Sequence, residues 1–507
     1  MAVPGIDHER PMFEQRCRKP SPYIMILFGA SGDLAKRKVL PAIYNLVSEE
    51  ILSEDFSLIG LSRSIEDTLS FKEIVFDSIT KYSADTWNMK RWHILKENLH
   101  GYRLDFYNKV SFLGLAKLIK KIDTQKEING NYLFYLATAP ANYFTVIKNL
   151  HLTELLTPNS KIVIEKPFGL DLKTAQELNN ELLTYVDYSQ IFRIDHYLGK
   201  EPIQNIIVFR KNNPLFRSIW NNEEIEKIQI VIAETVGVDK RADYFEQTGI
   251  LRDMVQSHVL QILALLTMDI PEILEPRYLK KAKVELLQKI RKFNQREVLE
   301  NSIRGQYAAG RLSTPRSGDH EVVSYQAEKG VEKLSTVETL VACRLFIDDE
   351  RWEGVPIEVV TGKRMAQRLT EVRIHLKEHG TEVYEGEKEG NIIRLRIQPD
   401  PSINIKIRWK PPGILTTIEP IELDIKGTAE NIEPKAYETL LLDAMHGDYS
   451  LFVSQEEIEE QWKIVEPFLK AWEQEEPNDF PNYAAGTNAL KIIRKIFLEF
   501  DIAFKAT

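Results

Sequence analysis

Cysteine is nearly missing. The 507 residues contain only Cys17 and Cys343, too few and too far apart for a disulfide framework or a cysteine zinc site. That shortage fits a reducing compartment. Long apolar runs are also missing, so no segment reads as a membrane span. The opening "MAVPGIDHERPMFEQRCRKPSP" lacks the apolar core of a signal peptide. A cytosolic protein without a membrane partner is the expectation. Basic excess is absent as well: 66 Lys and Arg stand against 75 Asp and Glu, a net charge of −9. With the charges interspersed, nucleic acid is a poor candidate for the main partner. There is no internal repeat and no low-complexity tract.

What is present is enough apolar side chain, 43%, to bury a large core in two or three units. Residues 1–22, polar and carrying four prolines, read as a flexible tail. From residue 23 to about 200, short apolar runs ("YIMILF", "FSLIGL", "NYLFYLAT", "KIVIEKP", "IFRID") alternate with longer amphipathic stretches. One such stretch runs from Leu34 to Glu50. Strands alternating with helices predict crossover units and a parallel sheet, a doubly wound Rossmann-type domain. "YIMILF" lacks alternation because such strands are buried on both faces.

Residues 201–507 read differently. "IEKIQIVIAET", "VETLVACRLFI", "NIIRLRIQ" and "SINIKIRWK" alternate. In the last, Ile403, Ile405, Ile407 and Trp409 point one way and Asn404, Lys406 and Arg408 the other. That period predicts an antiparallel sheet in a larger α+β domain. Residues 302–332, rich in Gly and Ser, read as a loop, and "EEIEEQWKIVEPFLKAWEQ" as a long helix.

Two stretches carry chemistry. The first is "ILFGASGDLAKRKVLP". After a buried strand, Gly29 can make a tight turn and Gly32 can let a phosphate approach the backbone. Ala35 can pack close to the strand, and the N–H groups at the helix start would face the anion. The spacing is G-x-x-G-x-x-A rather than G-x-G-x-x-G, so read alone it is equally an ordinary turn. The second strand ends in Ser62-Arg63, where an NAD-binding fold would carry a carboxylate for the ribose 2′-hydroxyl. A guanidinium there suits a 2′-phosphate, hence NADP; any single arginine is also simply a solvated one. The second stretch is "RIDHYLGKE", which packs Asp195, His196, Tyr197 and Lys200 into six positions. If a helix begins here, His196 and Lys200 share a face and could bind an anion. The alternative is a surface helix capped by Asp195.

"GASGDLAKRK", "IEKPFG", "RIDHYLGKE", "GILRDMVQSHVLQ" and "LLLDAMHGDYSLF" follow one another here in the order found in glucose-6-phosphate dehydrogenases. The resemblance to that family runs from about residue 24 to 470, and "DHYLGKE" is its most specific part. By this resemblance Gly29, Ser31, Gly32, Asp33 and Leu34 line an NADP turn. Lys38 and Arg63 lie near the adenosine phosphate, and Ala137 and Pro140 lie beneath the nicotinamide end. Lys166 corresponds to a lysine touching both substrate and cofactor, followed by Pro167, a proline sometimes cis in the family. His196, Tyr197 and Lys200 match groups that hold the sugar phosphate. Glu234, Asp253, Lys363 and Arg368 match further sugar contacts. His258 matches the catalytic base and Asp195 the carboxylate that supports it. On residues alone, His258 in its amphipathic run reads rather as a satisfied, partly buried core histidine.

The resemblance implies oxidation of D-glucose 6-phosphate to 6-phospho-D-glucono-1,5-lactone, the first step of the oxidative pentose phosphate pathway, by a homodimer or homotetramer. An imidazole titrating near neutrality suits removal of the anomeric proton as the C–H gives up hydride, and no metal is required. Two departures stand out. Leu369 follows Arg368 where some members carry a lysine, which argues against those members' second, structural NADP site. "KRADYFEQTG" also differs from the usual glycine-rich version. Two other readings are a related sugar or sugar-phosphate dehydrogenase and a non-catalytic NADP-binding regulator. Asp195, His258 and Lys166 together weigh against the regulator.

Overall fold

The computed structural model describes residues 18–506 apart from 54, 315–317, 380–384, 387–389, 415–416, 427–434, 476 and 478. The expected tail, 1–22, therefore lies largely outside the described residues. The chain forms two compact units. The first contains Met1–Glu201, Pro271–Lys281 and Glu433–Ile458; the second contains Pro202–Ile270, Ala282–Ile432 and Glu459–Thr507.

In the first unit six parallel strands lie in the order β3-β2-β1-β4-β5-β6. They are β1 (Ile24–Phe28), β2 (Ser57–Ser62), β3 (Leu99–Arg103), β4 (Tyr132–Leu136), β5 (Lys161–Ile164) and β6 (Ile191–Ile194). This is the doubly wound order, with the strand sequence reversing beside β1. Every residue of β1, β2, β4 and β6 is buried, which is why their sequences do not alternate. β3, "LHGYR", escapes sequence reading because it is an edge strand, exposed or half-buried beyond Leu99. Four of the helices between strands start on side-chain caps, from Asp67, Asn88, Asn108 and Asp171. Asp67 and Asp171 each form a capping box, with Ser70 and Thr174 respectively.

A single domain boundary near residue 200 needs correction, because two later segments return to the first unit. Phe452–Val453 pairs antiparallel with β6 as a seventh strand. Phe192 stacks on Tyr449 at 4.5 Å between centroids and meets Phe452 edge-on at 4.9 Å. Lys280 covers the other partner of that stack, its Nζ 5.1 Å from the Tyr449 ring. A two-residue strand held by aromatic contacts leaves no periodic signal to read.

The second unit is built on a nine-stranded sheet in the order Glu385–Gly386, Thr417–Lys426, Ser402–Trp409, Ile392–Gln398, Leu369–Leu376, Ile225–Ala233, Ile357–Gly362, Leu340–Leu345, Ser302–Gly305. It is mostly antiparallel, but Ile225–Ala233 runs parallel to Ile357–Gly362 and Glu385–Gly386 parallel to Thr417–Lys426. The expected loop at 302–332 is corrected too. Ser302–Gly305 is the sheet's edge strand, and Gly310–Thr314 pairs with Gly318–Val322 as a hairpin. The alternation of Ser402–Trp409 does not become one buried face: seven of its eight residues are half-buried and Trp409 is exposed. The helix Ala489–Ala506 packs Ile493 and Phe497 on Val231, Ala342 and Val360. Among the described residues, no helix is long and apolar enough to cross a membrane.

Candidate active site

In the first unit the glycine turn follows β1 directly. Gly29 has φ +74°, and a Cβ there would sit 2.3 Å from the Ala137 carbonyl oxygen. Only glycine fits, on both backbone and steric grounds. Gly32 is tight as well, a Cβ meeting the Gly29 carbonyl at 3.0 Å. Gly29 and Ala30 donate their N–H groups to the Leu61 carbonyl of β2, and Ala137 donates to Phe28. The turn is thereby fastened to the strands on both sides. Leu34 then leads into a π-helical stretch, Ala35–Val39, continuing as Leu40–Ser48. Such wide turns concentrate at functional sites.

Ser31 lies in a triangle of hydroxyls. Its Oγ is 2.7 Å from Ser62 and 2.9 Å from Ser64, and those two are 3.0 Å apart. Arg63, between them in sequence, is exposed at the end of β2, as is Lys38 on the π-helical stretch. Asp33 is exposed and pairs with Arg37 at 3.4 Å. Pro140 opens the short 3-10 turn after β4. A cradle that a Cβ would fill, and a β2 end of Ser-Arg-Ser with no carboxylate, fit a phosphorylated dinucleotide. Sequence reading missed the hydroxyl contacts of Ser62 and Ser64 with Ser31, although both flank the Arg63 it singled out.

Lys166 follows β5, and its peptide bond to Pro167 is cis. Beyond β6, Asp195 is fully buried and accepts the Tyr197 N–H at 2.9 Å. His196–Gly199 is a turn, and the helix begins only at Glu201. Both helical readings of this stretch are therefore corrected: Asp195 braces a turn rather than capping a helix. The turn still brings the expected groups together. The Lys200 Nζ sits 3.7 Å from the Tyr197 ring centroid, and the His196 and Tyr197 rings are 5.1 Å apart.

In the second unit, parallel pairing sets Ala233 opposite Gly362. The next residues, Glu234 and Lys363, thus leave adjacent strands at the same end and form an ion pair of 2.7 Å. Lys363 is buried, its Nζ 5.0 Å from the Phe245 ring centroid. Arg368 does not join them; it is exposed and donates to Gln398 at 2.7 Å.

Asp253 and His258, both buried, lie on a second π-helical stretch, Leu251–Val259. Gly249 opens it with φ 62° and ψ 179°, a combination essentially confined to glycine. The Leu251 N–H donates to Glu338 Oε1 at 3.0 Å, and Ile250 donates to the Glu338 carbonyl. In an α-helix, residues five apart would point about 140° away from each other. The i→i+5 repeat of a π-helix draws Asp253 and His258 toward one face. Tyr244 approaches Asp253 at 3.4 Å; burial first, then that carboxylate, raises the phenol's pKa well above its usual value.

A Rossmann-type unit with a glycine cradle, joined in one chain to a sheet unit carrying buried carboxylate, lysine and histidine, defines a dinucleotide-dependent dehydrogenase. Residues 26–205 match the family model described as glucose-6-phosphate dehydrogenase, NAD binding domain, and residues 207–499 match its C-terminal domain. The chain belongs to the glucose-6-phosphate dehydrogenase family. It is 36% identical over 482 residues to the glucose-6-phosphate 1-dehydrogenase of Chlamydia muridarum, covering 92% of this chain and 93% of that one. Its fold is similar to a glucose-6-phosphate dehydrogenase solved in complex with its substrate glucose-6-phosphate. That likeness has a TM-score of 0.83 and 30% identity, over 94% of this chain and 98% of that one. The Mycobacterium avium enzyme gives 0.78 and 29%, over 94% and 97%.

Proposed function

We propose that this chain oxidises D-glucose 6-phosphate to 6-phospho-D-glucono-1,5-lactone, with hydride passing to NADP. The observation that carries the reading is the likeness, over nearly the whole chain, to a dehydrogenase solved with that sugar phosphate bound. In this reading His196, Tyr197 and Lys200 hold the phosphate through charge-assisted and hydroxyl contacts. Glu234, Asp253 and Lys363 hold the sugar hydroxyls, with Arg368 at the periphery. Lys166 serves sugar and cofactor together. An imidazole nitrogen of His258 takes the anomeric hydroxyl proton as the C–H bond breaks, and the C–O bond becomes the lactone carbonyl. Asp195 supports the resulting imidazolium. Bound nicotinamide supplies the hydride acceptor.

The residues toward the cofactor are Gly29, Ser31, Gly32, Leu34, Lys38, Arg63, Ala137 and Pro140. Asp33, exposed and paired with Arg37, contributes only through its main chain. Preference for NADP over NAD follows from Arg63 and the three serine hydroxyls standing where a ribose-binding carboxylate would otherwise be. The reading includes a cytosolic homodimer or homotetramer. Its test is reduced-nicotinamide formation at 340 nm (the usual absorbance readout) from glucose 6-phosphate, with NADP and NAD in parallel. Steady turnover with NADP and little with free glucose is expected. Equal rates on glucose and its 6-phosphate would point to a different sugar dehydrogenase.

A further inference from the structure

Glu165 stands at the end of β5, immediately before Lys166, and tyrosines hold both its main chain and its side chain. Tyr143, on the helix Tyr143–Leu152, donates its hydroxyl to the Glu165 carbonyl at 3.0 Å and accepts the Glu165 N–H at 3.2 Å. Tyr135 of β4 donates to Glu165 Oε1 at 2.5 Å. Tyr437, on the returning helix Ala436–His446, hydrogen-bonds the same carboxyl. The Tyr437 ring in turn lies nearly parallel to the His196 imidazole, with centroids 6.4 Å apart and planes at 17°. One carboxyl thus joins the backbone that carries Lys166 to a ring that faces His196. The hydride-transfer chemistry makes no direct use of it.

We propose that Glu165 is a positioning residue: its ionised carboxylate clamps Tyr135 and Tyr437, and through them fixes His196 and Lys166 for the sugar phosphate. The inference rests on reading those two residues as substrate contacts. An ionised carboxylate only accepts, and charge-assisted hydrogen bonds are roughly twice as strong as neutral ones. Protonation turns one oxygen into a donor and weakens both clamps. This carboxyl is raised to about 7: burial pushes it up most, the bonds from Tyr135 and Tyr437 and the charge of Lys166 offset part of that, and Asp195 raises it. Those groups, with Tyr143, are the titratable ones that act on it most among the described residues. The clamp therefore loosens as pH falls through about 7.

The test is the pH profile of kcat/KM for glucose 6-phosphate, which reports ionisations of the free enzyme. Wild type is compared with Glu165→Gln and Tyr437→Phe, each checked by thermal melting. Glutamine fills the same space and still accepts, but it cannot titrate. The expected result is that Glu165→Gln removes about one unit of slope from the acid limb of log(kcat/KM), with the loss at higher pH falling mainly on KM. Tyr437→Phe should move that limb to higher pH, because the bond it deletes lowers the carboxyl pKa. If Glu165→Gln does not fold, the limb of Tyr437→Phe decides. A uniform loss at every pH, or a limb unmoved in both variants, would overturn the clamp as an ionisation-dependent device. A wild-type chain inactive on glucose 6-phosphate would instead defeat the functional reading itself.

Discussion

Gly29 and Gly249 belong to different units yet do similar local work. Each has a positive φ, each would place a Cβ 2.3 Å from an oxygen, and each precedes a π-helical stretch. They differ in what stands in the way. At Gly29 the oxygen is the Ala137 backbone carbonyl, fixed by the adjoining strands; at Gly249 it is the Glu338 side chain. The first turn is fastened to the Leu61 carbonyl of β2, and the second widens a helix so that Asp253 and His258 are drawn toward one face. In the proposed function one backbone device would serve cofactor binding in one unit and proton transfer in the other. If so, changes beyond the first glycine should act on cofactor affinity, and changes beyond the second on turnover.

The largest expected effect tests the second half of that statement. His258→Asn should lower the turnover number by about 10²–10⁴-fold, the usual share of general base catalysis, with substrate and NADP affinities near wild type by direct titration. Asp195→Asn should lose less, and the double variant should be little worse than His258→Asn, since the carboxylate acts through the histidine. Turnover within a few-fold of wild type in His258→Asn would assign the proton transfer to another group.

Substituting the glycines themselves separates the two devices. Either glycine changed to alanine should lose roughly 1–3 kcal/mol of stability from backbone strain alone. Gly29→Ala should lose more, because its obstacle is main chain. In Gly249→Ala a second change, Glu338→Ala, clears the obstacle but also removes the acceptor of the Leu251 N–H, so the Glu338→Ala single variant is its reference. Denaturant titrations check this: the two single variants losing equal stability would mean that the clash at Gly29 is relieved by movement.

Arg63→Ala sharpens the first half. Losing one charge-assisted contact worth roughly 1.5–3 kcal/mol should raise the Michaelis constant for NADP about 10- to 100-fold. The constant for NAD should hardly change. Equal effects on both cofactors would remove Arg63 from the 2′-phosphate.

The smallest effect is on stability against pH. Glu165 has its pKa raised by burial from an ordinary 4.5 to about 7, so the folded chain holds a proton that the unfolded chain releases. Its contribution is fully present below about 4.5 and is lost as pH rises through 7. Glu165→Gln does not suffer that loss. Its melting temperature relative to wild type should therefore climb between pH 4.5 and 7 and then level off. A difference that is flat across this window would mean that the carboxyl titrates elsewhere.

Much of the first unit was legible because local rules act alone there. Buried parallel strands are continuous apolar runs, and Gly29 follows one of them. The β2 end shows its Ser62-Arg63 in sequence, and the family motifs name Lys166, Asp195, His196, Tyr197, Lys200 and His258 as a set. The edge strand β3 and the returning Phe452–Val453 were not legible, since half-exposed or two-residue strands show no pattern. The helical register expected of His196 and Lys200 was wrong because Asp195 bonds a backbone N–H two residues on and turns the chain instead.

By itself the sequence determined the two-part architecture, the glycine cradle, the absence of an acid after β2 and the cast of chemical groups. Tertiary structure alone decided which groups meet within each unit. The parallel register of Ala233 with Gly362 sets Glu234 beside Lys363, and Tyr437 reaches Glu165 from a helix more than half the chain away. The i→i+5 winding brings Asp253 toward the face of His258. Strand register depends on hydrogen bonds between main chains that are alike at every residue, and the winding of a helix on a cap supplied from elsewhere. Side-chain identity along the chain does not encode either one locally.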